Sequence, residues 1–135
     1  MTGSSEYQTT ITEADGGFDR FEIFMEQVSQ DLLLPADTAL RLRLVLEELL
    51  TNSLNHAQCC FVKISLVIGE NGVEVDYRDS SPPFNPLDNV PTHHLENDPE
   101  NRPVGGLGCL LVFSMTRDAV YSRSDGLNLL VFTVP

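Results

Sequence analysis

The stretch LVLEELLTNSLNHA, at residues 44–57, decides the fold of this chain. Its apolar residues recur at helical spacing, which predicts a helix over Ala39 to His56, capped by Asp37 or Thr38. At about 100° per residue, two faces of this helix separate. The core face holds Leu42, Leu46, Leu49, Leu50, Ser53 and Ala57, and a second arc holds Glu48, Asn52 and Asn55.

Glu48 and Asn52 are four residues apart, so a carboxylate and a carboxamide project side by side from the predicted helix. Glu47 points elsewhere, and we expect it to be a solvated neighbour. Taken alone, the pair is typical of a polar helix face. Two segments further along the chain change that interpretation.

The first of these segments is YRDSSPPFNPLD, at residues 77–88. Asp79 stands just after a predicted strand and just before turn-forming serines and prolines. A carboxylate at such a strand end can accept a hydrogen bond from the amine of a ligand in a cleft. It can equally satisfy the backbone of its own turn, and the residues alone leave both interpretations open.

The second segment is RPVGGLGCLLV, at residues 102–112, in which Gly105, Gly106 and Gly108 precede an apolar helix that is predicted to run to about residue 115. Glycines let the backbone approach a phosphate, and a helix N-terminus supplies N–H groups with positive dipole character. A close packing turn between loop and helix explains the same glycines without a ligand.

The remaining pattern predicts an α+β fold. A further helix is expected over Phe18 to Leu34, and strands are expected at residues 6–12, 61–68, 73–77, 118–124 and 127–134. The last four strands form two hairpins. We therefore expect residues 1–135 to be one domain, a two-layer sandwich in which helices cover one face of a mostly antiparallel sheet.

The composition narrows the range of functions. A formal net charge of −12 argues against nucleic acid, whose phosphates require clustered Lys and Arg, and against an anionic membrane surface. The acidity suits a protein partner with a basic patch, or it only maintains solubility. No apolar run reaches the roughly 18 residues of a membrane span, and the first residues do not resemble a signal peptide, so the expected location is the cytosol.

Together and in this order, the three segments resemble the GHKL (Bergerat-fold) nucleotide-binding domain of histidine kinases and gyrase-type ATPases. Residues 44–57 look like its N-box, and the other two segments look like its two glycine boxes. The nearest likeness is to the anti-sigma serine/threonine kinases, which share Pro-Phe-Asn-Pro in the adenine motif and Arg-Pro-x-Gly-Gly-Leu-Gly before the last helix. The likeness covers nearly the whole chain from about residue 10.

The resemblance implies catalytic and metal-binding roles. Glu48 would be the base that orients or deprotonates the attacking hydroxyl. Asn52 would ligate Mg²⁺, because a neutral oxygen ligand suits a hard cation that keeps several waters. Residues 86–104 would form a lid over ATP, and from this lid Arg102 would reach the γ-phosphate as a second catalytic residue.

The resemblance also implies which residues contact ATP. Asp79 would bind the adenine amino group, and Gly106 and Gly108 would cradle the phosphates. The full set of implied nucleotide-binding residues is Asn52, Asn55, His56, Asp79, Ser81, Pro83, Phe84, Gly105, Gly106, Leu107 and Gly108.

Ser81 departs from the family pattern, which has glycine at this position. If the turn after Asp79 needs a left-handed residue, a serine there strains the backbone, and its Cβ can crowd the adenine. Alternatively, the Ser81 hydroxyl contacts the ligand. The sequence leaves both possibilities open, and they have opposite consequences for ATP affinity.

The implied function is that of a protein serine/threonine kinase that uses Mg-ATP to phosphorylate a STAS-type antagonist protein. Such kinases also bind a sigma factor or another regulator, and they form homodimers. The alternative is a degenerate nucleotide-binding module that sequesters partners without phosphotransfer, which Ser81 favours and which Glu48 and Asn52 oppose. A simple ATPase is a third possibility.

Overall fold

The computed structural model describes residues 5–12, 17–32, 34–55, 59, 61–86 and 114–135. Within these residues the chain forms five strands and two helices. The strands are β1 (Ser5–Ile11), β2 (Val62–Gly69), β3 (Gly72–Asp79), β4 (Arg117–Ser124) and β5 (Leu127–Val134). The helices are α1 (Phe18–Leu32) and α2 (Ala36–Asn55).

The five strands form one antiparallel sheet in the order β1-β2-β3-β5-β4. β2 and β3 are joined by a tight hairpin in which Gly69 is paired with Gly72. β5 lies beside β3 in a register that makes Asp79 and Asn128 direct partners. The sheet therefore brings together two polar residues that are 49 positions apart in the chain.

Period-two alternation turns one face of the sheet toward the helices. α2 packs over β3 and β5, and α1 lies beside β1. Buried apolar side chains from both layers form one core. It includes Phe21, Met25 and Val28 from α1, Leu42, Leu46 and Leu50 from α2, Val62, Ile64 and Leu66 from β2, and Leu130, Phe132 and Val134 from β5.

The predicted two-layer α+β fold is confirmed, and β5 has the bounds that the sequence predicts. The helix ends differ, since α1 ends at Leu32 and α2 begins at Ala36. The predicted cap at Asp37 or Thr38 is therefore wrong, because both residues lie inside the first turn of α2. Thr38 Oγ1 instead donates a hydrogen bond to the backbone oxygen of Pro135 at 3.1 Å, a contact that local sequence does not reveal.

Two predicted elements lie almost wholly outside the described residues. Of the helix expected from residue 105, positions 114 and 115 are described, and they are helical. Of the lid expected at residues 86–104, Pro86 is described, and it is buried. Neither described helix combines the length and apolar character that a membrane span needs.

Gly72 allows the close approach of the β2–β3 turn to the end of β5. Its φ is +125°, and a Cβ added there would lie 2.2 Å from the backbone oxygen of Val134. We expect Gly72→Ala to lower the free energy of unfolding by about 2–4 kcal/mol, because backbone strain and a clash with main-chain atoms add together. Urea denaturation measures this change.

Gly126 offers a matched control in the β4–β5 turn. Its φ is +79°, but a Cβ there would meet nothing within 4 Å. We expect Gly126→Ala to cost only about 1 kcal/mol, which is the backbone strain alone. Equal destabilisation by the two substitutions would contradict the close packing of Gly72 against β5.

Candidate functional site

A cleft opens where α2 passes over the ends of β3 and β5. Its apolar walls come from Leu49, Phe84, Pro86, Tyr121 and Leu130, and its polar groups come from Asn52, Ser53, Tyr77, Asp79, Ser81 and Asn128. Together with the solvent at its open mouth, the cleft has an empty volume of about 400 Å³. The cleft itself is narrow, since the centres of water molecules have only about 30 Å³ available to them.

Asp79 lies at the floor of this cleft and is 8% exposed. Its Oδ2 accepts a hydrogen bond from Ser53 Oγ at 2.6 Å. Its Oδ1 accepts from the Ser81 N–H at 3.2 Å and from Asn128 Nδ2 at 2.9 Å. A buried carboxylate without partners would be costly, so these three donors both stabilise Asp79 and fix its orientation.

Behind Asp79, Ser53 and Tyr77 form a buried chain of hydroxyl groups. Their oxygens are 2.7 Å apart. Because Ser53 donates its single proton to Asp79, Tyr77 must donate to Ser53. Burial raises the pKa of the Tyr77 phenol well above its usual range, and the negative charge of Asp79 adds to that increase. Tyr77 therefore remains a neutral donor at physiological pH.

Asn128 connects Asp79 to the turn that follows β3. Besides donating to Asp79, its Nδ2 group donates toward the carbonyl oxygens of Ser81 at 3.3 Å and Pro82 at 3.0 Å, so one of its two N–H groups is shared between two acceptors. One amide thus holds both the carboxylate and the backbone beside it. The polypeptide that follows Asp79 is consequently fixed at the cleft even though it is not a helix or a strand.

The oxygen of the Asn128 side chain collects three further donors. These are the Phe84 N–H at 3.2 Å, the Tyr121 hydroxyl at 2.6 Å and Arg123 Nη1 at 3.0 Å. Arg123 Nη1 also donates to the Ser81 carbonyl at 2.8 Å. Asn128 is therefore the centre of a polar network that spans β3, β4, β5 and the turn after Asp79.

The α2 helix supplies Asn52 to the cleft and Glu48 one turn earlier. Asn52 is half-buried and lines the cleft, and Glu48 is half-buried beside it without being part of that lining. Within the described part of the chain, neither side chain has a hydrogen-bond partner. Glu47 instead pairs with Arg43 at 3.0 Å, so Glu48 is the carboxylate of this turn that can serve a ligand.

Of the other predicted site residues, some lie in or beside the cleft and the rest lie outside the described part of the chain. Phe84 lines the cleft, whereas Pro83 is exposed next to it. Asn55 is the last residue of α2. The remaining predicted residues lie outside the described part of the chain, and their roles stay predictions: His56, Arg102, Gly105, Gly106, Leu107 and Gly108.

The strain expected at Ser81 is absent. Among the described residues, the non-glycine positions with positive φ are Asp118 and Asp125, so Ser81 lies outside the left-handed region. Arg123 and Asn128 both donate to the Ser81 carbonyl in this conformation. Of the two possibilities that the sequence leaves open for Ser81, the structure therefore does not support left-handed backbone strain.

Sequence reasoning missed Asn128, Tyr77 and Ser53 as parts of the site. A signal for Asn128 was present in the alternation of β5, where Leu130, Phe132 and Val134 point inward. The residue two positions before Leu130 must point inward as well. A polar side chain at an inward position requires buried partners, which marks a polar site.

Residues 21–134 of the chain match the family model of the histidine kinase-like ATPase domain. The matched range contains the cleft residues on α2, β3, β4 and β5 that are described above. None of the curated proteins compared with the chain matches it.

Removal of the Asn128 side chain tests whether this network holds the site together. We expect Asn128→Ala to lower the free energy of unfolding by about 2–4 kcal/mol, because several buried groups lose their partner at once. Asn71→Ala is the control, since Asn71 is exposed in the β2–β3 turn, and we expect it to cost less than about 1 kcal/mol. If the two variants unfolded at the same urea concentration, the network would not be structural.

Proposed function

Because the chain belongs to the histidine kinase-like ATPase family, we propose that its cleft binds ATP with Mg²⁺ and that the bound nucleotide phosphorylates a serine or threonine of a partner protein. The observation that carries this proposal is the buried Asp79 carboxylate, fixed by three donors at the floor of a largely apolar cleft. Such a floor suits a flat heterocycle that presents an amino group to the carboxylate.

The described residues also suit a magnesium nucleotide. No cluster of three or more histidine, cysteine, aspartate or glutamate side chains that could hold a metal occurs in the described residues. Mg²⁺ does not require such a cluster, because it usually takes one or two protein oxygens together with phosphates and waters. The side-chain oxygen of Asn52 would be that protein ligand. When bound, the cation neutralises the charge that develops on the phosphates.

Glu48 would act on the acceptor hydroxyl. In the proposed reaction the hydroxyl oxygen of the acceptor forms a bond to the γ-phosphorus, the bond to ADP breaks, and Glu48 takes the hydroxyl proton. Glu48 is one helical turn from Asn52, so base and metal ligand would act on the same phosphoryl group. Gly105, Gly106, Leu107, Gly108 and Arg102 would complete the phosphate site.

The protein substrate and the partners that we propose rest on the sequence resemblance to the anti-sigma serine/threonine kinases. The substrate would be a STAS-type antagonist protein, and a sigma factor or another regulator would be a second partner of a cytosolic homodimer. The net charge of −12 supports recognition of partners through basic patches. It also supports a function without direct contact to nucleic acid or to an anionic membrane.

One observation favours the alternative, a module that sequesters partners without transferring phosphate. Both oxygens of Asp79 already accept hydrogen bonds from within the chain. A carboxylate has about four acceptor sites, so about one remains for a ligand. Calorimetric titration of the protein with ATP and Mg²⁺ identifies a module that has lost the nucleotide site, because it would give no ATP-dependent heat. A module that still binds ATP would differ from the kinase by transferring no phosphate.

Glu48→Ala separates binding from chemistry. We expect this variant to bind Mg-ATP with nearly unchanged affinity and to lose about 10²–10⁴-fold in the rate of transfer, since a general base acts only in the transition state. The measurement is transfer of label from γ-labelled ATP to a STAS-domain protein, with the acceptor serine of that protein changed to alanine as the blank.

The controls for this experiment lie on the same helix. Glu47→Ala removes a neighbouring carboxylate that is paired with Arg43 and should leave the rate unchanged. Asn52→Ala should weaken Mg-dependent ATP binding by roughly tenfold, as expected for a lost interaction of about 1.4 kcal/mol. Transfer at the wild-type rate by Glu48→Ala would show that another group is the base.

A further inference from the structure

A buried hydroxyl at the cleft, that of Ser81, lacks a partner among the described residues. Ser81 is 3% exposed and lines the cleft beside Asp79. Its Oγ is buried and, across the residues that the structure describes, forms no hydrogen bond. A hydroxyl that leaves water without gaining a partner destabilises a fold, so a buried example calls for an explanation.

The surrounding contacts prevent Ser81 from moving toward a partner. Its N–H donates to Asp79 Oδ1 at 3.2 Å, and its carbonyl accepts from Arg123 at 2.8 Å and from Asn128 at 3.3 Å. With the backbone held on both sides, the hydroxyl can rotate only about its own side-chain bond. It therefore stays beside the cleft as long as these backbone contacts are kept.

The adjacent hydroxyl shows what a structural serine looks like in this turn. Ser80 Oγ accepts a hydrogen bond from the Phe61 N–H at 3.0 Å and lies within 3.5 Å of the Phe61 carbonyl. Ser80 thereby ties the turn to the residue before β2. Ser81 has no such role, although the two residues are neighbours with the same chemistry.

Asp79 and Ser81 together supply a specific combination of hydrogen-bonding groups at the cleft. A carboxylate offers only acceptors, whereas a hydroxyl can donate. After its three contacts within the chain, Asp79 has about one acceptor site left. Two neighbouring residues of the cleft lining thus carry one remaining acceptor site and one unpaired donor.

Adenine has the complementary pattern, because its amino group donates and the ring nitrogens on either side of it, N1 and N7, accept. We propose that Ser81 Oγ donates a hydrogen bond to the ring nitrogen next to the adenine amino group, while Asp79 accepts from that amino group. This inference rests on the proposed function, since it requires an adenine nucleotide in the cleft. A base with a carbonyl in place of the amino group would set an acceptor against the Asp79 carboxylate and be rejected.

Ser81→Ala should have two effects of opposite sign. Without ligand, the variant no longer buries an unpaired hydroxyl, so its thermal midpoint should equal or exceed that of the wild type. With ATP, the variant lacks one hydrogen bond and should bind about fivefold to tenfold more weakly. Ser80→Ala is the matched control, and it should lower the thermal midpoint and leave discrimination among nucleotides unchanged.

Two analogues identify the acceptor atom. 1-deaza-ATP and 7-deaza-ATP each lack one of the two nitrogens that flank the amino group. We expect one of these analogues to bind the wild type about fivefold to tenfold more weakly than ATP binds it. The same analogue and ATP should bind Ser81→Ala with about equal affinity, because the variant and the analogue each remove the same hydrogen bond. Calorimetric titration of wild type, Ser81→Ala and Ser80→Ala with the three nucleotides measures this.

The outcomes distinguish this inference from the proposed function. If the wild type binds ATP and Ser81→Ala binds it equally well, the hydroxyl is not a ligand donor and the proposed function stands. If each analogue loses the same affinity in the wild type and in Ser81→Ala, the hydroxyl does not reach either nitrogen, and the inference is again wrong. A wild type that does not bind ATP at all overturns both.

Discussion

The hydrogen bond between Asp79 and Asn128 joins the fold to the site. The two residues are direct partners across β3 and β5, and their side chains meet at 2.9 Å on the face that the helices cover. A slip of one residue in either strand would turn one of these side chains to the open face of the sheet, because strand side chains alternate. The register of β3 and β5 therefore determines the geometry of the cleft. The position of the turn that carries Ser81 depends on the same register.

Much of the fold could be predicted because its signals are local. The alternation of Leu130, Phe132 and Val134 predicts β5 with its correct bounds, and the period of Leu42, Leu46 and Leu50 predicts the core face of α2. The beginning of α2 could not be predicted in the same way. The hydroxyl of Thr38 is engaged by Pro135, 97 residues away, and only the assembled sheet brings that partner into reach.

The residues of the candidate site also fall into those that local sequence predicts and those that depend on contacts between distant parts of the chain. Asp79 and Asn52 could be proposed from motifs, since each sits at a recognisable place in a short segment. The residues that hold Asp79 could not, because Ser53 reaches it through the packing of α2 on the sheet and Asn128 reaches it through the pairing of β3 with β5. The conformation of Ser81 could not be decided from the sequence for a related reason. A turn pattern alone does not contain the side chains of Asn128 and Arg123 that bind the Ser81 carbonyl.

The polar cluster contributes geometry, and the apolar core supplies most of the stability that keeps it in place. Buried hydrogen bonds add little net free energy, because the same groups bond to water in the unfolded chain. Full burial of a large apolar side chain such as Leu46 or Phe132 contributes about 1.5–3 kcal/mol, and both are fully enclosed here.

α2 takes part in both the apolar core and the polar cleft, since it directs Leu46 into the core and Asn52 into the cleft. A movement of α2 large enough to reshape the cleft would have to disturb the packing of the core, so hydrophobic burial on one side of this helix fixes the position of the polar groups on the other.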